Sequence, residues 1–435
     1  MWLRFIRLLR DLEPNRHFGK LWLSQALSLT AFNMINFTLL IRVFDLTHSS
    51  ILVSLFVLSF GIPSLLFGAI AGVFADRWNR RSVLIVTNLI RAIVVIAFIP
   101  ALHSLPLIYL VTFVIATVTQ FFTPAEAALI PELVEKRRLV GANAVFMMTM
   151  FVSFIIGYGL AGPLAAIGGD ALPIILAAVM FALATVAGYA LPPSHHRPAA
   201  PVPLRSAYGT VLASLREGVQ AVREHGSIRF GIAQLTFIWA TIGVVMVVLP
   251  AFTSQVLGLN LREVSRAIII PIGAGMLGGG FWLHRLRRSL SLRMVITVHL
   301  LVAGLAVLVL GLVQTIAPWL IDHHLSLAQD PFNARQGLTA VAAAVLGLAI
   351  AVVMIASQTL LHERTDASLR GRIFGVLGMS INVANTVPVL LTGLLTDLLS
   401  AATTVTAVGV LLLVWGVVSY IVGRDQVLTA SPASG

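Results

Sequence analysis

The 435-residue sequence predicts an all-α membrane protein, with twelve transmembrane helices arranged as two pseudo-symmetric six-helix bundles. Three observations carry that expectation. The composition is lipid-soluble, the twelve apolar runs are joined by loops that alternate in positive charge, and loop signals from the first half return in the second. Hydrophobic residues make up 58% and charged residues 11% of the chain, and the mean hydropathy is +0.97, well outside the usage of a water-soluble domain.

A bilayer core of about 30 Å takes roughly 20 helical residues to cross. Runs of that length lie at 21–44, 51–75, 83–101, 105–129, 141–167, 171–191, 228–257, 263–284, 293–316, 337–361, 372–397 and 400–423. The even loops between them hold Arg77, Arg80 and Arg81, then Lys136, Arg137 and Arg138, then Arg197, Arg205, Arg216 and Arg223. Arg285, Arg287 and Arg288, and Arg364, Arg370 and Arg372 follow. The odd loops have only Arg42, Arg262, Arg266 and Arg335 near them. Because Lys and Arg accumulate on the cytoplasmic side, both termini and every even loop are expected there, in a multi-pass protein of the cytoplasmic membrane.

The net charge of +12 and pI of about 11.3 are therefore read as topology, with no nucleic-acid partner expected. The chain has no Cys, which excludes disulfides, thiolate metal sites and cysteine nucleophiles. The first apolar run is too long for the core of a signal peptide and lacks a small-residue cleavage site, so no such leader is expected.

Residues 1–191 are expected to form the first bundle, 192–227 a cytoplasmic linker, and 228–435 the second bundle with a short tail. From Trp2 to Leu12, Arg4, Arg7 and Arg10 alternate with Phe5, Ile6, Leu8 and Leu9, a pattern that suits a helix lying in the membrane interface. The linker opens with Pro192-Pro193-Ser194-His195-His196-Arg197-Pro198. Beyond it Tyr208, Val211, Leu212, Leu215, Val219 and Val222 recur at helical spacing, which predicts an amphipathic helix leading into the seventh span.

Halving the chain at the linker exposes the repeat. Gly72-x-x-x-Asp76-Arg77-x-x-Arg80-Arg81 after the second span is matched by Gly280-x-x-x-His284-Arg285-x-Arg287-Arg288 after the eighth. Glu132-x-x-Glu135 after the fourth is matched by Glu363-x-x-Asp366 after the tenth. Two matched signals in corresponding loops follow the plan of a transporter whose halves rock about a central site.

Over nearly its full length the chain resembles the major facilitator superfamily, with Gly72 to Arg81 similar to that family's cytoplasmic signature. Further motifs resemble the branch of bacterial exporters that handles macrolides and siderophores such as enterobactin. They are Leu46-Thr47-His48-Ser49-Ser50, Thr123-Pro124-Ala125-Glu126-Ala127-Ala128-Leu129-Ile130-Pro131, Asn143, and Arg370-Gly371-Arg372-Ile373-Phe374-Gly375. The resemblance implies a secondary transporter that exports amphipathic, drug-like small molecules by alternating access. It also implies that Asp76, Arg77, Arg80 and Arg81 form a cytoplasmic latch, in which the Asp caps a helix of the opposite half. With His284 in place of the Asp, the corresponding latch of the second half is expected to be degraded.

Arg91, within the third span, and Glu126, near the end of the fourth, are intramembrane charges. Such groups are costly unless paired or hydrated, so they are read as a gating or charge-relay pair, with a structural ion pair as the alternative. Arg42 and Asp45 are placed at the interface. Mid-membrane polar groups that must face a cavity or a partner helix give the substrate-path candidates: Asn33, Asn36, Thr117, Gln120, Gln234, Trp239, Gln358, Asn382 and Asn385. Hydrogen bonding between helices is the alternative for each.

Gly273-x-Gly275-x-x-Gly278-Gly279-Gly280 lies inside an apolar span with no strand before it, so it reads as close helix packing rather than nucleotide binding. His195-His196 and His323-His324 lack further ligands, and no metal or cofactor is expected; the driving force is read as proton antiport, with facilitated diffusion as the alternative. No buried nucleophile with a base and no P-loop is visible, which argues against an enzyme or a primary pump. The expected partners are a small-molecule substrate and membrane lipids, with the chain as a monomer. Rival readings are export or flipping of a siderophore or lysolipid-like molecule, and a transport-dead sensor or scaffold.

Overall fold

Runs of apolar residues between charged turns fold into helices because a chain in hydrocarbon must satisfy its backbone internally. The structure is a computed structural model that describes residues 16–75, 78–135, 138–193, 216–286, 290–323, 330–366 and 369–428. Among them, twelve helices are long and apolar enough to cross a membrane. Their α-helical parts are α1 (Arg16–Thr47), α2 (Ser50–Ala75), α3 (Arg80–Phe98), α4 (Leu105–Leu133), α5 (Leu139–Gly168), α6 (Ala171–Tyr189), α7 (Gly226–Ala251), α8 (Ile270–Leu286), α9 (Leu292–Gly311), α10 (Pro331–Arg364), α11 (Arg370–Leu398) and α12 (Ala401–Leu428); the eighth span begins at Leu261. The predicted interfacial helix Trp2–Leu12 and the proline-rich opening of the linker from Ser194 onward lie outside the described residues. Residues 216–224, at the end of the linker, are helical.

Helix starts follow local chemistry. The Asn79 side chain accepts a hydrogen bond from the Ser82 backbone N–H and so caps α3; the Ser291 hydroxyl does the same for the Met294 N–H at the head of α9. Asp330 takes the N–H groups of Phe332 and Asn333 at 2.9 and 3.0 Å, with Pro331 at the first helical position, where no N–H is needed. Prolines inside α2, α4, α5, α7 and α11 are tolerated because neighbouring helices and local adjustments re-satisfy the freed carbonyls.

Two departures from the expected spans are local. The ninth run does not continue to residue 316 as one helix: α9 ends at Gly311, Leu312 leaves helical geometry at φ −98° and ψ 10°, and a short helix Val313–Asp322 follows. Around the connection from α7 to α8, Phe252–Val256 and Ser265–Ile269 are wound as π-helices, with a capping box of Asn260 and Glu263 between them.

Contacts divide the chain into two units. The first is Met1–His48 with Leu55–Gly209, and the second is Ser49–Ser54 with Thr210–Gly435. In the first, α1 packs on α5 and α6, while α3 packs on α4 and α6. In its most apolar window 72% of α1 is buried, against 22% of α2, so α1 is the central post of that unit. In the second unit, α7 packs on α11 and α9 packs on α10 and α12, repeating the pairings α1·α5, α3·α4 and α3·α6 one half further along. This recurrence is the pseudo-symmetry that the loop signals predicted.

The tightest seam of the second unit lies between α8 and α10. A Cβ at Gly275 would enter the van der Waals envelope of the Ala344 carbonyl, and one at Gly347 that of the Ile272 carbonyl. The glycine string of the eighth span therefore serves backbone-to-backbone approach, as read from the sequence.

Candidate functional site

Within the first unit, a polar cluster is buried among helices that are otherwise apolar. Asn88 on α3 donates to Ser24 Oγ at 3.5 Å, and Ser24 in turn donates to the Ala184 carbonyl on α6 at 3.1 Å. Asn88 Oδ1 accepts from Ser28 Oγ on α1 and from Arg91 Nη1 at 3.3 Å. Asn88 and Arg91 are three residues apart and so share one face of α3, which aims both into the cluster.

Arg91 is 2% exposed, and its guanidinium sits over two aromatic faces, 4.6 Å from the centre of the Phe122 ring on α4 and 5.6 Å from that of the Phe181 ring on α6. Glu126 follows Phe122 by one turn of α4 and is 7% exposed. Both side chains are buried within the first unit. No ion pair of 4 Å or less joins them, so of the two readings of this pair the structural ion pair is not the one formed here. Nε and Nη2 of Arg91, Oε1 of Glu126 and Oε1 of Gln25 on α1 are all buried without a hydrogen-bond partner.

Toward the start of α3, Arg80 pairs with Glu132 and donates to the Ala128 carbonyl at 3.1 Å. Arg81 donates to the carbonyls of Gly188 and Tyr189 at 3.4 and 2.7 Å, and Lys20 to that of Ala190 at 2.8 Å. Tyr189 and Ala190 stand at the C-terminal end of α6, where the last carbonyls lack intrahelical partners and the helix dipole favours positive charge. Asp76 and Arg77, the other half of the predicted latch, lie outside the described residues. At the opposite end of α1, Arg42 pairs with Asp170 at 3.3 Å and donates to the Leu102 carbonyl at 3.1 Å, while Asp45 is exposed.

The substrate-path candidates fall in varied surroundings. Asn36 is buried, and Asn33, Thr117 and Gln120 are half-buried. Asn33 lies against Gly157 of α5, where an added Cβ would stand 2.6 Å from the Asn33 Cβ. Thr117 and Gln120 each donate to a carbonyl one turn back on α4. In the second unit Gln234 is buried, with its amide taken up by α12: Trp415 Nε1 donates to Oε1 at 2.8 Å and Nε2 donates to Ser419 Oγ at 3.0 Å. The Trp415 ring also stacks on Phe237. Asn385 presses its side-chain oxygen, which is buried and has no hydrogen-bond partner, against Gly243 of α7. Trp239, Gln358 and Asn382 are half-buried on α7, α10 and α11.

Asp397, near the end of α11, was not singled out from the sequence. Inside the second unit its carboxylate accepts hydrogen bonds from the Ser50 N–H at 2.7 Å, the Ile51 N–H at 3.1 Å and the Ser49 hydroxyl at 2.7 Å. Gly393 makes room for this, since a Cβ there would stand 2.6 Å from Ser54 Oγ. The available signal was an isolated carboxylate one turn beyond a glycine, together with the Ser49-Ser50 pair at the head of the second span. In the same unit Arg372 pairs with Glu217 at 2.7 Å, which docks the linker's 216–224 helix on α11. No group of three or more His, Cys, Asp or Glu side chains suited to a metal occurs among the described residues.

Twelve spanning helices with matched pairings in the two units define a polytopic α-helical membrane protein. The Major Facilitator Superfamily model matches residues 21–327, and the chain belongs to that family. Macrolide efflux protein A of Streptococcus pyogenes is 23% identical over 397 residues, which cover 87% of this chain and 89% of that protein. The MFS-type transporter YfiS of Bacillus subtilis is 26% identical over 392 residues, 88% of this chain and 87% of its own. Among solved structures, the nucleoside transporter NupG aligns with a TM-score of 0.68 at 16% identity, covering 94% of this chain and 99% of that one. A bacterial homologue of the lysosomal transporter Spinster aligns at 0.69 and 15%, covering 96% and 99%. At these identities the structures speak for the fold alone.

Proposed function

We propose that the protein exports amphipathic small molecules of the macrolide kind across the cytoplasmic membrane by alternating access, in exchange for protons, with both termini in the cytoplasm. The observation that carries this reading is the similarity to a macrolide efflux protein over most of both chains. Intramembrane charge on α3 and α4 supports the coupling, because a buried ionisable pair in a transport family has a use for a proton.

Gating follows from the charged ends of the helices. Arg80, Arg81 and Glu132 hold the ends of α3, α4 and α6 together, and Asp76 and Arg77 are assigned to the same cytoplasmic latch from their sequence motif. The mid-span groups Asn33, Asn36, Thr117, Gln120, Trp239, Gln358 and Asn382 offer hydrogen bonds along the path. The test is drug susceptibility of an efflux-deficient bacterial host expressing the wild type beside Asp76→Asn and Glu126→Gln. The wild type is expected to raise the inhibitory concentration of erythromycin and both variants to lower it again. No change with the wild type, although the protein is present in the membrane, would remove the macrolide reading.

A further inference from the structure

We propose that Arg91 and Glu126 frame a proton-binding site inside the first unit, where Glu126 gains and loses the transported proton and Arg91 takes up its carboxylate once the proton has gone. The inference rests on the antiport reading and names the group that carries it out.

The geometry is that of a site left unfinished. Arg91 is held in place by two aromatic faces and by Asn88, yet two of its N–H groups have no acceptor. Glu126 stands one turn from the Phe122 ring that carries the guanidinium, with one carboxyl oxygen unpartnered. A permanent structural bridge would bring these groups into contact, since an open pair bears the desolvation cost of both charges without the full Coulombic return. The open arrangement fits a protonated carboxyl group, which is neutral and still accepts and donates hydrogen bonds.

Loss of the proton breaks the carboxyl O–H bond and passes the proton to water. The resulting carboxylate is then drawn to the free donors of Arg91, and reloading from water on the other side reverses the step. Gln25, one turn from Ser28 on α1, adds a further unpartnered oxygen in the same bundle. Other charged groups of the unit are engaged with partners of their own: Arg80 with Glu132, Arg81 with the end of α6, and Lys20 with Ala190.

The test is infrared difference spectroscopy of the full-length protein in phospholipid nanodiscs, titrated between acid and alkaline buffer. A carbonyl stretch from a protonated carboxyl group is expected in the wild type, absent in Glu126→Gln and restored at altered frequency in Glu126→Asp. In Arg91→Met it should persist to more alkaline pH, by about tenfold or more in proton concentration. Arg91→Lys, which keeps the charge if the Met variant does not fold, should lie between the two. A band that survives in Glu126→Gln, or a midpoint that ignores the charge at residue 91, overturns the proposal.

Efflux of erythromycin from proteoliposomes with an imposed pH gradient separates this failure from that of antiport. If the gradient drives wild type and Glu126→Gln alike, antiport stands and this site falls. If it drives neither while the Glu126 band titrates, antiport itself falls, and the proton on Glu126 is not a transported one.

Discussion

Asp397 holds the first turn of α2 through the backbone of Ser50, whose N–H it meets at 2.7 Å, with Ile51 and Ser49 completing the grip. A helix N-terminus leaves its first N–H groups unsatisfied and carries partial positive charge, so a carboxylate is the strongest available cap. Replacing Asp397 with Ala is expected to cost about 1 kcal/mol, within the usual span of roughly 0.5 to 2 for a lost cap, and Asn less. Hydrogen exchange at Ser50 and Ile51 checks it. Protection unchanged in Asp397→Ala would show that the cap does not hold this turn.

The α8–α10 seam makes a second prediction. Gly275→Val should be among the more damaging single changes in the second unit, because its Cβ meets a backbone carbonyl that cannot swing aside. Overpacking of this kind costs about 1–3 kcal/mol and here belongs at or above the top of that range. Gly278→Val, where a Cβ meets open space, is the matched control. Thermal unfolding in detergent should separate the two, and equal melting temperatures would contradict the close approach.

Gln234 and Trp415 give a third. Gln234→Leu strips the half-buried Trp415 N–H of its acceptor and the buried Ser419 of its partner, at a cost of about 1–3 kcal/mol. Adding Trp415→Phe removes the orphaned donor, so the double variant should recover part of the loss. A double variant whose cost equals the sum of the two single costs would mean the pair is not coupled.

These three sites show what the sequence could and could not reveal. The twelve spans were legible because hydrocarbon admits only long apolar helices, and basic residues marked their connections. Gly275 was legible for the same reason, since a glycine string in an apolar span has few uses other than close packing. For Gln234 the sequence left substrate path and interhelical hydrogen bond both open, because nothing in its own helix names the partner 181 residues away. Asp397 was passed over because a carboxylate near a span's end looks like a solvated loop residue until the backbone 347 residues earlier is seen against it. The break at Leu312 has no proline to announce it. Arg91 and Glu126 were visible as intramembrane charges, but their unclosed geometry was not, since spacing along two helices does not set the distance between them.

A pH prediction attaches to Asp330. Its capping bonds, led by the Asn333 backbone N–H, hold the carboxyl group below the ordinary aspartate range. The sign follows: the contribution to α10 is fully present above that range and is lost as pH falls through the lowered folded value. Exchange at Phe332 and Asn333, corrected for intrinsic rate, should accelerate on acidification through that window. In Asp330→Asn, which keeps an acceptor but has no charge to lose, it should not. The same acceleration in both proteins would detach the effect from Asp330.

The central claim, proton-driven export, is tested most directly in inside-out membrane vesicles from an efflux-deficient host. Radiolabelled erythromycin is followed as a pH gradient, acid inside, is imposed and then collapsed. Vesicles containing the protein should accumulate the label above protein-free vesicles and release the excess when a protonophore is added. Accumulation that matches the protein-free control, or that persists unchanged after the gradient is gone, would contradict it.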